Sequence, residues 1–149
     1  MAIISKTYGR LLAIIMAWLG FSCDIISPKV EYGTPSATFK AKGVVVSQTD
    51  DALIEGIRAV LKTQKGTAGY GIDTVYTDSK GVFNLKSSDF AFNKLYVELA
   101  DVDGEKNGSF AENEIEADYS NEKFKGGDGH WYRGEAEKDL GIIKMELKE

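Results

Sequence analysis

A reversal of the chain near residue 80 constrains the fold more than any other stretch. Asp78 and Gly81 stand where a tight turn requires a backbone-bonding carboxylate and a residue that tolerates positive φ. Apolar residues alternate with polar ones on both sides of this turn, which is the period of a strand with one buried face. Residues 73–86 are therefore predicted to form a β-hairpin, with the other alternating runs adding strands around it.

Alternating runs recur along the rest of the chain and predict an all-β fold. A helix over residues 51–62 is an alternative for one run, but Gly56 and the β-branched residues there disfavour it. About seven short strands separated by turns are typical of an immunoglobulin-like sandwich. The apolar side chains expected to face inward are Phe39, Ala41, Gly43 and Val45; Ile57, Ala59 and Leu61; Leu95, Val97 and Leu99; Ile115, Ala117 and Tyr119; and Ile143, Met145 and Leu147.

Length and charge limit the classes of function. The 149 residues suffice for one domain, and 43% hydrophobic residues suffice for a buried core. The formal net charge is −5 without a long basic cluster, so nucleic acid is not an expected partner. No Gly-x-Ser-x-Gly, phosphate-binding or dinucleotide-binding motif occurs, and the carboxylates of residues 114–118 and 135–137 alternate as on a solvated strand face. We expect a protein that is not an enzyme.

The first 23 residues differ in composition from the rest of the chain. Lys6 and Arg10 precede an apolar run over residues 11–19. Three residues separate this run from Cys23, the only cysteine of the sequence. The run is shorter than the roughly 20 residues of a membrane-spanning helix. This is the pattern of a signal peptide that is removed after export.

The lone cysteine after the apolar run resembles the lipobox of a bacterial lipoprotein. The resemblance implies thioether-linked diacylglycerol and an amide-linked acyl chain on Cys23, and a cell envelope location at the outer membrane, on its periplasmic or surface side. An ordinary secreted protein with an unpaired thiol is the alternative. We predict a signal peptide over residues 1–22, a lipidated N-terminus and tether over residues 23–36, and a β-sandwich over residues 37–149.

Two sets of motifs resemble known families. The first set resembles the carboxypeptidase regulatory-like domain, a transthyretin-like sandwich of seven strands: residues 43–46, 55–60 and 77–85. The second resembles the radical SAM-associated lipoproteins of Bacteroidetes, named for the enzyme encoded beside them: residues 19–23, 32–38, 73–78, 101–105 and 131–135. The second resemblance implies a location and a fold, without a reaction.

Residues 101–112 contain the candidate metal ligands. Side chains with oxygen atoms stand at relative positions 1, 3, 5, 7 and 12, a spacing that Ca²⁺ favours, so a structural calcium ion is one candidate, and no other cofactor is expected. Lys106 occupies the position at which an EF-hand loop turns on glycine. The alternative is a connection between strands whose side chains bond their own backbone. The candidate ligands are Asp101, Asp103, Glu105, Asn107 and Glu112.

A second candidate site lies in the glycine-rich stretch of residues 126–133. His130, Trp131, Tyr132 and Arg133 collect there, and Trp, Tyr and Arg dominate many binding surfaces. The alternative is that Trp131 or Tyr132 closes the end of the sandwich while His130 is a solvated loop residue. A single histidine without a second histidine or a free cysteine does not make a usual zinc site.

Two functions are consistent with these features. The first is a lipid-anchored, non-catalytic envelope module that binds a protein or glycan through loops at one end, with the membrane contacted through the acyl chains on Cys23. The second is a substrate or partner of the neighbouring radical SAM enzyme, modified within residues 123–133 before export.

Overall fold

The computed structural model describes residues 33–104 and 106–148. The predicted signal peptide, Cys23 and most of the predicted tether lie outside these residues. The described part contains eight strands and one turn of 3-10 helix, Gly66–Ala68, and in it no helix has the length and apolar composition to cross a bilayer. The strands are β1 (Ser36–Ser47), β2 (Ile57–Lys62), β3 (Gly71–Tyr76), β4 (Val82–Phe90), β5 (Lys94–Asp101), β6 (Asn113–Asp118), β7 (Lys125–Gly126) and β8 (Tyr132–Met145).

The strands form two four-stranded sheets, which confirms the prediction of an all-β sandwich. The first sheet has the order β4-β1-β8-β7, and the second has the order β3-β2-β5-β6. Neighbouring strands are antiparallel except β1 and β8, which run parallel at the centre of the first sheet. The first and last long strands of the sandwich therefore lie side by side.

The core lies between the two sheets and is formed by the inward residues of the alternating runs. Phe39 of β1 packs edge-on against Tyr119, with 5.0 Å between ring centroids, and its ring is 5.8 Å from that of Phe124. The buried Tyr119 hydroxyl donates to the Lys40 carbonyl oxygen (2.8 Å), so the polar end of this ring is satisfied. Burying one such aromatic or aliphatic side chain contributes about 1.5–3 kcal/mol to folding.

The predicted hairpin over residues 73–86 is wrong, although its turn forms. Asp78 Oδ1 accepts hydrogen bonds from the N–H groups of Lys80 (2.8 Å) and Val82 (2.9 Å), and Gly81 has a φ of 68°. The strands on either side belong to different sheets, because β3 pairs with β2 whereas β4 pairs with β1. The turn therefore carries the chain from one sheet to the other.

A bulge in β8 reverses which of its residues face the core. Gly141 has a φ of 69°, and its N–H donates to Asp139 Oδ1 (2.9 Å). Ala136 is buried before the bulge, whereas Ile143 is buried after it. Alternation across residues 134–145 is therefore interrupted, which is why only the last part of β8 was predicted from sequence.

Leu147, predicted to face inward, is exposed. Strand β8 ends at Met145, and Leu147 makes an isolated bridge with Phe110 beyond the sheet. The alternation of polar and apolar residues continues past the point at which the backbone leaves the ladder, so this prediction was wrong.

Candidate functional site

The candidate residues lie at the two ends of the sandwich, which we call poles. The N-terminal pole is where β1 begins, and the C-terminal pole is where β8 ends. The segments at the N-terminal pole are residues 33–35, 63–70, 91–93 and 119–131. The described segments at the C-terminal pole are residues 48–56, 77–81, 102–104, 106–112 and 146–148.

The stretch that contains His130, Trp131, Tyr132 and Arg133 is an ordered turn at the N-terminal pole. Asp128 Oδ1 accepts hydrogen bonds from the N–H groups of His130 (2.8 Å) and Tyr132 (3.1 Å). These bonds, that of His130 foremost, hold the pKa of the Asp128 carboxyl below its usual value. Because the Trp131 carbonyl oxygen also accepts the Ser36 N–H (2.8 Å), the backbone of this stretch is fixed on both sides.

Two of the four candidate side chains, Tyr132 and Arg133, contact different parts of the sandwich. The Tyr132 hydroxyl hydrogen-bonds the Thr38 hydroxyl (2.9 Å), and the Arg133 guanidinium lies 4.3 Å from the centroid of the Phe124 ring. Trp131 and His130 are exposed at the pole. Successive residues of a strand point to opposite faces, so proximity in sequence does not bring these four groups together.

An open groove of about 650 Å³ lies beside β7, and the sequence analysis missed it. Its walls carry both charge signs, and Glu122 forms an ion pair with Lys138 (2.8 Å). Positively and negatively charged side chains together suit a polar ligand better than an apolar one. The lining residues are Asn121, Glu122, Lys123, Lys125, Gly126, Glu135, Ala136 and Glu137.

The outer face of the first sheet carries ion pairs between β1 and β8. Lys40 hydrogen-bonds Glu135, and Lys42 lies 2.6 Å from Glu137. The bond from Lys40 lowers the pKa of the Glu135 carboxyl. A lowered pKa at Glu135 is the opposite of the raised pKa that a general acid requires.

The outer face of the second sheet holds one nearly buried lysine. The Lys62 side chain is only 7% exposed, and its Nζ donates to Glu98 (2.7 Å) and to the Gly66 carbonyl oxygen (2.5 Å). Glu114 lies 3.5 Å from the same nitrogen and accepts the Gly66 N–H (2.9 Å). The hydrogen bond to Glu98 is the main cause that raises the pKa of Lys62. This cluster ties the loop after β2 to strands β5 and β6.

The predicted calcium ligands lie at the C-terminal pole, where several of them bond the protein itself. Asp101 accepts the N–H groups of Asp103 (3.3 Å) and Phe110 (2.9 Å) through its two carboxylate oxygens. The Asn107 amide donates to the Glu55 carbonyl oxygen (3.5 Å). These are the contacts that the alternative of a self-bonded connection predicts.

The remaining candidate ligands do not complete a cluster among the described residues. Glu112 lines a separate groove with Gln48 and Lys144, and Glu105 lies outside the described residues. Burial and the neighbouring Asp101 raise the pKa of the Asp103 carboxyl. Residues 33–104 and 106–148 contain no group of three or more His, Cys, Asp or Glu side chains placed to hold a metal ion. The calcium site and the self-bonded connection stay two interpretations, which melting with calcium and with chelator separates.

An apolar groove of about 610 Å³ lies on the outer face of the first sheet, towards the C-terminal pole. Val44, Val46, Leu53 and Ile142 line it, with Asp51 and Lys144 at its rim. The Asp51 carboxylate and the Lys144 ammonium are 2.6 Å apart. The bulge at Gly141 turns Ile142 outward, so no simple alternation of residues marks this groove.

Comparisons with known proteins found only distant similarity. No protein-family model matches the chain, and no curated protein matches it. One similar solved structure is the C-terminal domain of the shaft pilin spaA from Lactobacillus rhamnosus GG, with 12% sequence identity and a TM-score of 0.40. The similarity covers 74% of this chain and 98% of that chain.

Proposed function

We propose that the chain is a lipid-anchored, non-catalytic β-sandwich of the cell envelope that serves as a binding or structural module. The observation that carries this proposal is the succession of a basic start, the apolar run over residues 11–19 and Cys23, followed closely by the first strand of a folded sandwich. The tether between Cys23 and Ser36 spans at most about 45 Å when extended. Several acyl chains give stable anchoring where one gives marginal binding.

The state of the carboxylates supports a role without catalysis. Within the described residues, Glu98, Glu116, Glu122, Glu135 and Glu137 each lie within ion-pair distance of a lysine. These ion pairs are spread over both sheets, and the three carboxylates that line the groove beside β7 are already held by lysines, which suits the groove to binding better than to proton transfer. The partner that we propose is a protein or a glycan bound by loops at one pole.

The anchor is tested by the intact mass of the mature protein. We expect a mass equal to residues 23–149 plus diacylglycerol and one amide-linked acyl chain, together with incorporation of labelled palmitate. The Cys23→Ser variant is the matched control, and it should carry neither the added mass nor the label. A mature protein whose mass is that of unmodified residues would contradict the anchor.

A second candidate function is that of a substrate or partner of a radical SAM enzyme. The exposure of residues 126–131 favours it, because a modifying enzyme needs access to its target segment. Such iron–sulfur enzymes are cytosolic, so modification would precede export. Co-expression with the enzyme should then add a mass within residues 123–133 that acyl chains do not explain. A mass unchanged by co-expression contradicts this candidate.

A further inference from the structure

The N-terminal pole is where the described chain joins the sandwich. The Ala91 N–H donates to the Pro35 carbonyl oxygen (2.9 Å), and the Ser36 N–H donates to the Trp131 carbonyl oxygen (2.8 Å). These two bonds hold the start of β1 between the turn that connects β4 to β5 and the segment before β8. A tether from an acylated Cys23 therefore reaches the sandwich at this pole.

Three large aromatic side chains are exposed at the N-terminal pole. Tyr70 is 56% exposed, Phe90 53% and Trp131 36%, and each belongs to a different segment of the chain. The Phe90 ring packs against that of Phe92, with 6.3 Å between centroids. Aromatic rings, above all those of Trp and Tyr, accumulate where headgroups meet acyl chains, because they combine apolar area with a polar atom.

Charge distinguishes the two poles more sharply than apolar exposure does. The C-terminal pole also exposes apolar side chains, among them Leu53, Val102 and Leu147. Its described segments contain seven acidic and three basic residues, whereas those of the N-terminal pole contain two acidic and three basic residues. An anionic lipid surface therefore repels the C-terminal pole, and it attracts juxtaposed lysines within a Debye length of about 8–10 Å.

We propose that the N-terminal pole lies against the bilayer, with Tyr70, Phe90 and Trp131 at the lipid interface. This inference rests on the proposed lipid anchor and adds an orientation to it. The exposed Lys65, Lys123 and Lys125 reach lipid phosphates from the same pole. The acidic C-terminal pole and its apolar groove then point away from the membrane, where a partner can reach them.

The fluorescence of Trp131 reports its contact with lipid in the mature protein. Trp18 lies within residues 1–22, so Trp131 is the only tryptophan of residues 23–149. The acylated protein is reconstituted into vesicles of phosphatidylcholine and phosphatidylglycerol, with and without brominated acyl chains. We expect Trp131 emission to shift to shorter wavelength in the vesicles and to lose most of its intensity with the brominated lipid.

A reporter near the opposite pole is the matched control. In the double variant Trp131→Phe with Ile142→Trp, the single tryptophan lies on the outer face of β8, towards the C-terminal pole. Its emission should be the same with and without brominated lipid. Equal quenching of the two reporters would overturn the proposed orientation.

Charge reversal tests the electrostatic part of the proposal. Changing Lys65, Lys123 and Lys125 to Glu should reduce the quenching of Trp131 on anionic vesicles. The control is the change of Lys80, Lys106 and Lys148 to Glu, which adds the same charge at the C-terminal pole and should leave quenching unchanged. An equal effect of the two triple variants would contradict the proposal.

Failure of this inference differs from failure of the anchor. An acylated protein that floats with the vesicles but whose Trp131 stays unquenched overturns the orientation and leaves the anchor standing. A mature protein without acyl chains overturns the anchor and the orientation together.

Discussion

Thr77 is the residue at which the chain changes sheets. Its buried hydroxyl accepts the Ile57 N–H (2.9 Å) and donates to the Ile54 carbonyl oxygen (2.8 Å). Its own N–H and carbonyl oxygen bond Ile57 and Gly56. One side chain thus satisfies two backbone groups that would otherwise be buried without partners.

Replacing Thr77 by Val should destabilise the fold by about 2–6 kcal/mol, because two buried backbone groups each lose a partner, at about 1–3 kcal/mol each, while the shape is kept. Thr77→Ser keeps the hydroxyl and loses only a methyl group, so it should cost about 1 kcal/mol. Urea unfolding of the two variants measures the difference. A Val variant as stable as the Ser variant would show that the hydroxyl has no such role.

Alanine substitutions at Gly81 and Gly141 can distinguish the cost of backbone strain from the cost of steric clash. Both have positive φ, 68° and 69°. A Cβ at Gly81 would lie 2.4 Å from the Val45 carbonyl oxygen, whereas a Cβ at Gly141 meets nothing within 4 Å. Gly141→Ala should therefore cost only the left-handed backbone penalty of about 1–2 kcal/mol, and Gly81→Ala should cost distinctly more. Equal midpoints in thermal unfolding would contradict this difference.

At the scale of elements, strands with uninterrupted alternation were predictable from sequence and their partners were not. The inward residues of β2 and β5 follow the predicted parity because each strand has one wet face. The turn chemistry of Asp78 and Gly81 acts over five residues, and it carries no information about which strand each flank pairs with. Most of β8 was not predicted, because the bulge at Gly141 changes which of its alternate residues face the core.

The candidate site was predictable to a similar extent. The exposure of Trp131 agrees with a surface role, but its neighbours on β8 point elsewhere because a strand alternates its faces. The grooves beside β7 and on the first sheet join residues distant in sequence, such as Leu53 and Ile142. No local motif marks such a meeting point.

The turn before β8 should lose stability in acid. The folded state depresses the pKa of Asp128, so its stabilisation is present above the unfolded value of about 3.9 and is lost as pH falls through the folded pKa. Asp128→Asn should be less stable than wild type near neutral pH, and the difference should shrink as the pH falls below about 3.9. Thermal unfolding over this range measures it. A difference that does not depend on pH would contradict this reason.

We expect calcium to leave the melting midpoint unchanged. Asp101 bonds two N–H groups of its own connection, and Glu112 lies in a separate groove with Lys144. An ion that binds only the folded state must raise the midpoint of thermal unfolding. Melting with calcium and with chelator, in wild type and Asp103→Asn, decides between the two interpretations. A calcium-dependent rise of the melting midpoint that Asp103→Asn abolishes would instead establish the metal site.

At the scale of the whole molecule, residues 34–149 form a compact unit of their own. A chain that begins at Gly33 should therefore unfold at the same midpoint as the mature Cys23→Ser chain, which carries no acyl groups. Differential scanning calorimetry of the two proteins measures the comparison. A lower midpoint for the shorter chain would mean that residues 23–32 contribute to the stability of the sandwich.

The parallel pairing of β1 with β8 has a consequence for export. Ser36 pairs with Tyr132 and Ser47 with Met145, so the centre of the first sheet joins segments about a hundred residues apart. Contacts between such distant segments form late, since the loop between them must be closed first. The sheet has no central pair until the C-terminal strand has been synthesised. The export proposed above needs an unfolded chain, and the late closure of this sheet leaves β1 without one of its two neighbouring strands until nearly all of the chain has left the ribosome.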